Sequence, residues 1–229
     1  MAKDWIGNSR SGMYGLGASN RSERDREEDD FYATPYIATR RLLDKLKEMN
    51  ISLPHHISEP AVGMGHIAKI LEDNGYEVSA ADIVDRKWPN TKIENFLESK
   101  SIDGDAIITN PPYKNGADFV VHAMDNLQDG QMCIMLLKIQ FLEGGSRASR
   151  LYKKGLRPKY VLVFPDRINC AKTGNFKEEN DLFEEATKDL SWEEKDQLGE
   201  AESQKGGQIA YAWYVWEKGY KGLTQMDWL

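Results

Sequence analysis

Apolar positions along the chain follow two rhythms. Ala38, Leu42, Leu46 and Met49 recur at helical spacing with Leu43 on the same side, and Thr34-Pro35 just before them reads as a cap and a first helical position. A short strand is expected near 56–59, running into a glycine-rich turn. A helix follows from about Gly65 to Asp73, with Gly75 at its C-cap. YEVSAADI predicts a second strand ending at Asp82, TKIENFL holds a short third one, and DAIITNPPY carries the fourth. Ala117, Val120, Val121, Met124 and Leu127 then share one helical face. QMCIMLLKI is almost continuously apolar, as an inner strand of a parallel sheet must be. SRASRLYKKG reads as a short basic helix and KYVLVFP as another strand. GQIAYAWYVWEKGY reads as a late strand apolar on both faces, and LTQMDWL as a last edge strand or clasp. Strands alternating with helices predict one doubly wound α/β domain.

Composition changes this picture at the two ends of the argument. Residues 1–30 are rich in Gly, Ser and charge and are expected to form a flexible arm, leaving 31–229 as a single domain. Within it, about 171–206 is a polar, acidic insertion, long for a connection in an α/β unit, and expected as a loop or a small cap. The formal net charge of −7 argues weakly against nucleic acid, but its distribution does not. From Lys138 to Phe176 nine Lys/Arg face two acids, whereas from Lys177 to Lys205 four lysines face eleven acids. The basic segment, with Lys138, Arg147, Arg150, Lys153, Lys154, Arg157, Lys159, Arg167 and Lys172, is suited to a phosphate backbone, although a solvated face is the commoner fate of such charges. No apolar run approaches the ~20 residues of a membrane span, and MAKDWIGNSRSGMYG lacks the apolar stretch of a signal peptide. Cys133 and Cys170 lie far apart and read as reduced core thiols of a cytoplasmic protein. The four histidines have no ligand spacing, so no metal is expected.

Two stretches carry chemistry. EPAVGMGH places Gly63 and Gly65 between a strand and a helix. It lacks the Lys-Ser/Thr of a phosphate loop, and Ala68 stands where a dinucleotide fingerprint has its third glycine. An ordinary tight turn would also contain a bare G-x-G. Asp82, however, ends the next strand seventeen residues beyond Gly65, where a carboxylate can accept both hydroxyls of a ribose. Glu59, ending the first strand, is placed to face an amino group or to hold the loop. The pair suits a nucleoside without phosphates, and S-adenosylmethionine is such a molecule. The second stretch is Asn110-Pro111-Pro112-Tyr113. Its asparagine oxygen and the Pro111 carbonyl offer two acceptors to a planar amino group. Pro112 stiffens the corner, and Tyr113 offers a stacking plane.

With these motifs in order, about residues 31–170 resemble the S-adenosylmethionine-dependent amino-methyltransferases, especially the DNA adenine-N6 enzymes of the Asn-Pro-Pro-Tyr type. The strand AYAWYVWEKGY resembles the ending of small phage or prophage members. The resemblance implies a Rossmann-like class I methyltransferase fold, a mostly parallel seven-stranded sheet with a reversed strand near the C-terminus. It implies that Phe31, Tyr32 and Thr34 hold the methionine end of the donor and that Glu59, Pro60, Ala61, Gly63 and Gly65 form its loop. Asp82 would take the ribose, Ile83 would cover the donor adenine, and Asn95 and Phe96 would meet its edge and face. Asn95 stands where the family has an aspartate, and Glu59 and Val62 stand for its aspartate and cysteine. Asn110, Pro111, Pro112 and Tyr113 match the catalytic tetrad in full. Lys138, Phe141, Arg147, Arg150, Lys153, Lys154, Arg167 and Asn169 are the candidate substrate-binding residues.

The same tetrad occurs in methyltransferases acting on RNA bases and on protein glutamine amides, so RNA or a protein amide is the alternative acceptor to DNA. A non-catalytic nucleic-acid-binding or anti-restriction protein is a third reading. The 229 residues leave no room for the separate target-recognition domain of larger relatives, which implies loose or short sequence specificity, or a partner that supplies it. The oligomeric state is left open by these motifs.

Overall fold

The computed structural model describes residues 32–168, 170 and 209–229. Phe31, Asn169, Lys172, the arm 1–30 and the acidic stretch 171–206 lie outside the described residues. The elements are α1 (Tyr36–Glu48), β1 (His56–Glu59), α2 (His66–Asp73), β2 (Glu77–Asp82), β3 (Lys92–Ile93), β4 (Ala106–Thr109), α3 (Gly116–Asn126), β5 (Met132–Lys138), α4 (Gly145–Arg150), β6 (Tyr160–Val163), β7 (Tyr211–Glu217) and β8 (Gln225–Trp228).

The strands form one sheet in the order β3-β2-β1-β4-β5-β7-β6-β8. Pairings from β3 through β5 are all parallel. Strand β7 runs antiparallel between β5 and β6, and β8 lies parallel to β6. The reversed strand is therefore where the sequence resemblance puts it, but the described sheet has eight strands rather than seven, because LTQMDWL adds a paired edge. Chain order leaves β1 in one direction toward β2 and in the other toward β4, so the carboxyl ends of β1 and β4 flank a switch point, the ordinary ligand crevice of an open α/β sheet.

Period-two alternation splits the inner strands between two cores. Ala106 and Ile108 face Leu42, Leu46, Ile67 and Leu71 of α1 and α2. Ile107 faces the other way, with Phe119, Val120 and Met124 of α3. Both faces of β4 and β5 are covered, which is why their sequences show no polar alternation. Strand β7 repeats the pattern: Trp213 joins the first core and donates its indole N–H to the Ala38 carbonyl at 2.8 Å, while Tyr214 and Trp216 join the second.

Helix α1 begins one residue later than the Thr34-Pro35 pair predicts. Pro35 is the N-cap, and no side chain caps the helix. Thr34 is instead buried and turned toward the tetrad. The short basic helix ends at Arg150 and resumes as a 3-10 turn over Tyr152–Lys154. Cys133 and Cys170 are free thiols, and burial pushes both above the usual range. Among the described residues no helix is long and apolar enough to cross a membrane, and no cluster of His, Cys, Asp and Glu is arranged for a metal.

Candidate active site

A cavity of about 250 Å³ opens at the carboxyl edge of β1, β2 and β4. Its walls bring together Tyr32, Thr34, Glu59, Pro60, Ala61, Asp82, Ile83, Asn95, Phe96, Asn110, Pro111 and Pro112. Residues separated by almost eighty positions in sequence thus share one space, because parallel strands bring their C-terminal ends to the same edge.

The glycine loop is built by its own backbone. Gly63 and Gly65 both have positive φ, 57° and 83°, where a side chain is strained. The Gly63 N–H donates to Asp82 Oδ2 at 2.7 Å, and the Val84 N–H donates to Oδ1 at 2.9 Å. Arg86 reaches Oδ1 at 3.3 Å. Asp82 therefore clamps the loop and the β2 exit together through both of its carboxylate oxygens. Gly65 serves a different purpose from close approach to a ligand. A Cβ there would fall 1.8 Å from the Trp88 ring, so the indole packs directly on the glycine.

Glu59 is almost fully buried, and its Oε2 has no hydrogen-bond partner among the described residues. Burial raises its carboxyl well above the ordinary value of 4.5, opposed by a hydrogen bond from the Ala68 backbone and reinforced by the nearby Asp82 charge. A buried carboxylate without a cation is costly, so the site is prepared for a positive group.

The tetrad corner holds a second orphan. The Asn110 amide nitrogen donates to the Tyr32 carbonyl at 2.9 Å and to the Thr34 hydroxyl at 3.0 Å. A carbonyl only accepts, so the amide orientation is set, and Oδ1 is buried with no partner among the described residues. Pro111 and Pro112 line the cavity beside it. Tyr113 is half-buried behind them. Its ring stacks on Tyr32 at 5.4 Å and 28°, tilts against Tyr211 at 5.8 Å, and has Lys138 Nζ 4.7 Å from its centroid. Burial pushes the Tyr113 hydroxyl well above its ordinary range.

Other residues singled out by sequence fall differently. Ile83 is 59% exposed at the rim, an apolar surface left open beside Asp82. Asn95 lines the cavity, yet its side chain caps the following 3-10 turn, accepting from the Leu97 N–H at 3.2 Å and donating to Glu98 at 2.9 Å. Phe96 packs on Phe119 and His122. Phe141 is core rather than rim, edge-on to Tyr214 and Trp216. Arg147 donates to the carbonyls of Gln140, Phe141 and Glu143 and lies over the Phe141 ring, so it fastens that turn. Arg150 pairs with Asp118. Lys153, Lys154, Arg157 and Arg167 are exposed. Of the cations expected to face phosphate, Arg147 is engaged within its own turn, Lys138 lies over Tyr113, Lys159 pairs with Glu217, and Arg150 pairs with Asp118 at the surface.

Sequence reasoning missed Arg86, Trp88, His66, Phe119, Glu94 and Lys114, all but Trp88 lining the cavity. Arg86 follows Asp82 by four residues, a charge spacing that signals a local pair. No periodic signal marks Trp88, whose partner lies more than twenty residues away.

No protein-family model and no curated protein matches the sequence. Solved structures do match. A protein assigned as the modification subunit of a type I restriction enzyme from Vibrio vulnificus aligns at 12% identity and TM-score 0.51, over 85% of this chain and 49% of its own. A protein assigned as an RNA methyltransferase from Pyrococcus horikoshii aligns at 14% identity and TM-score 0.51, over 82% and 86%. A protein assigned as a class I S-adenosylmethionine-dependent methyltransferase from Listeria monocytogenes aligns at 13% identity and TM-score 0.50, over 90% and 68%. The chain spans about half the length of the first of these. At such identities the likeness is one of fold: the chain has the Rossmann-like class I methyltransferase fold, with its reversed strand near the C-terminus.

Proposed function

We propose that this protein transfers a methyl group from S-adenosylmethionine to the exocyclic N6 amine of adenine in DNA, with loose or short sequence specificity. The observation carrying this reading is the Asn110 amide, held by Tyr32 and Thr34 so that its oxygen is left buried and unpartnered among the described residues, on a residue that lines the same cavity as Glu59 and Asp82. An orphaned buried acceptor costs about 1–3 kcal/mol, and an incoming amine brings the missing N–H donor.

The residues present fit the donor. Glu59 suits its ammonium group, Asp82 its ribose hydroxyls, and Ile83 with Phe96 its adenine. When bound, S-adenosylmethionine supplies an electrophilic methyl on a sulfonium. Asn110 Oδ1 and the Pro111 carbonyl hold the acceptor N–H groups and turn the nitrogen lone pair out of ring conjugation, so no proton need leave before attack. Positioning and desolvation then do most of the catalytic work, and the proton leaves the methylated nitrogen for water afterwards. A duplex adenine must flip out to reach this corner, with Tyr113 as its stacking plane, worth roughly 1–3 kcal/mol. Lys153, Lys154, Arg157 and Arg167 are the exposed cations available to the backbone.

Incubation with methyl-labelled donor and four acceptors tests the reading: duplex DNA, single-stranded DNA, RNA and a glutamine-containing peptide. Label at adenine N6 in DNA is expected. Label in RNA or peptide alone would move the acceptor class, and no label in any would refute the enzyme.

Glu59 provides a pH test with two slopes. Its folded carboxyl titrates above its unfolded one, so the native state binds more protons between the two values. Stability of the free protein should fall as pH rises from the ordinary carboxylate range through the raised one. Donor affinity should rise over the same window, because a cationic ligand needs the ionised carboxylate. Glu59→Gln is expected to flatten both slopes and to weaken donor binding about ten- to hundredfold by calorimetry, the loss of one charge-assisted hydrogen bond.

A further inference from the structure

Tyr32 acts at the corner through two separate parts. Its backbone carbonyl orients the Asn110 amide at 2.9 Å, while its ring lies stacked on Tyr113. Tyr32 lines the cavity, and Tyr113 is not among the described lining residues. The plane on which an acceptor base would stack is therefore already covered, on its cavity side, by another aromatic ring. A side chain can change rotamer about χ1 without moving its own carbonyl.

We infer that the Tyr32 ring is a tethered competitor of the acceptor base: it occupies Tyr113 in the free protein and must swing aside before the acceptor binds, while its carbonyl keeps Asn110 oriented throughout. This rests on the amino-group acceptor reading above. The competition has a definite form. Apparent acceptor affinity is reduced by the fraction of molecules in which the plane is open, and the closed fraction is held by an aromatic stack. Lys138 also lies over the Tyr113 ring and Tyr211 tilts against it at 5.8 Å, so both are rivals for this role among the described residues.

The test uses the full chain as wild type, Tyr32→Ala, Tyr32→Phe and Lys138→Met. Hydroxyl-radical footprinting with mass spectrometry reads how far Tyr113 is uncovered, with no acceptor present. Acceptor KM and kcat, and the fluorescence of a 2-aminopurine oligonucleotide, read what uncovering does. Tyr32→Ala is expected to raise Tyr113 labelling and to lower acceptor KM about three- to tenfold, with a smaller change in kcat. Tyr32→Phe, which keeps the stack, should leave Tyr113 labelling as in the wild type. Unchanged Tyr113 labelling in Tyr32→Ala overturns the inference, as does increased labelling with an unchanged or raised KM. Uncovering by Lys138→Met alone overturns it in favour of the lysine. If the wild type modifies no acceptor while the footprint still shifts in Tyr32→Ala, the functional reading fails and the gating role falls with it, but the stack itself is verified.

Discussion

Asn110→Ala is expected to lower methyl transfer at least about a hundredfold while leaving donor affinity within about threefold. The asymmetry follows from where its atoms point. The amide N–H groups face Tyr32 and Thr34, and Oδ1 is buried with no partner among the described residues, on a residue that lines the cavity. Removing the side chain deletes the acceptor that would align the incoming amine, but leaves Glu59 and Asp82 untouched. It also strips the Tyr32 carbonyl of a donor, so a stability loss of roughly 1–3 kcal/mol should accompany it. Asn110→Asp separates the two effects. It keeps an acceptor oxygen at the corner but sets a second one against the Tyr32 carbonyl. Its rate should fall between those of wild type and Ala, with a comparable loss of stability. Equilibrium donor binding, single-turnover rates and thermal melts check the set, and wild-type turnover by the Ala variant would remove Asn110 from the chemistry.

Gly65→Ala is expected to be the most damaging single methyl in the loop. At φ 83° an L-residue costs roughly 1–2 kcal/mol. The new Cβ would also fall 1.8 Å from Trp88 Cε3, so the indole must leave. Together these should cost about 2–4 kcal/mol, a fall in Tm of roughly 5–15 °C for a chain of this size. Donor affinity should weaken as well, since the loop carries the Gly63 N–H that meets Asp82. The pair Gly65→Ala with Trp88→Ala restores the space but not the backbone angle. A double-mutant cycle should show coupling of about 1–3 kcal/mol, and additive losses would mean that the contact is not the cause.

The main-chain plan was legible where burial is simplest. Strands β4 and β5 are covered on both faces and so are written as unbroken apolar runs. The faces of α1 and α3 appear as helical periods, and the tetrad and glycine loop appear as stiff or permissive backbone at strand ends. What stayed hidden depends on which distant element arrives next door. Thr34 looks like a cap until Asn110 comes within 3.0 Å of it. Phe141 and Arg147 look like a mouth for substrate until Tyr214, Trp216 and three carbonyls claim them. Gly65 looks like room for a ligand until Trp88 fills it. Spacing along a chain reports periodicity and direction. The partners of a charge or ring depend on sheet order, which the spacing leaves unstated.

Strand β7 runs against both of its neighbours, which fixes where the long acidic stretch is rooted. Strand β6 ends at the carboxyl edge, and β7 starts there, with Tyr211 opposite Lys138 and beside Tyr113. Both stems of the intervening segment thus emerge next to the tetrad. A one-residue slip within β7 would turn Trp213 and Trp216 to the wrong cores. The reversal thus sets both described ends of the connection, Cys170 and Ile209, on the sheet edge that carries the tetrad.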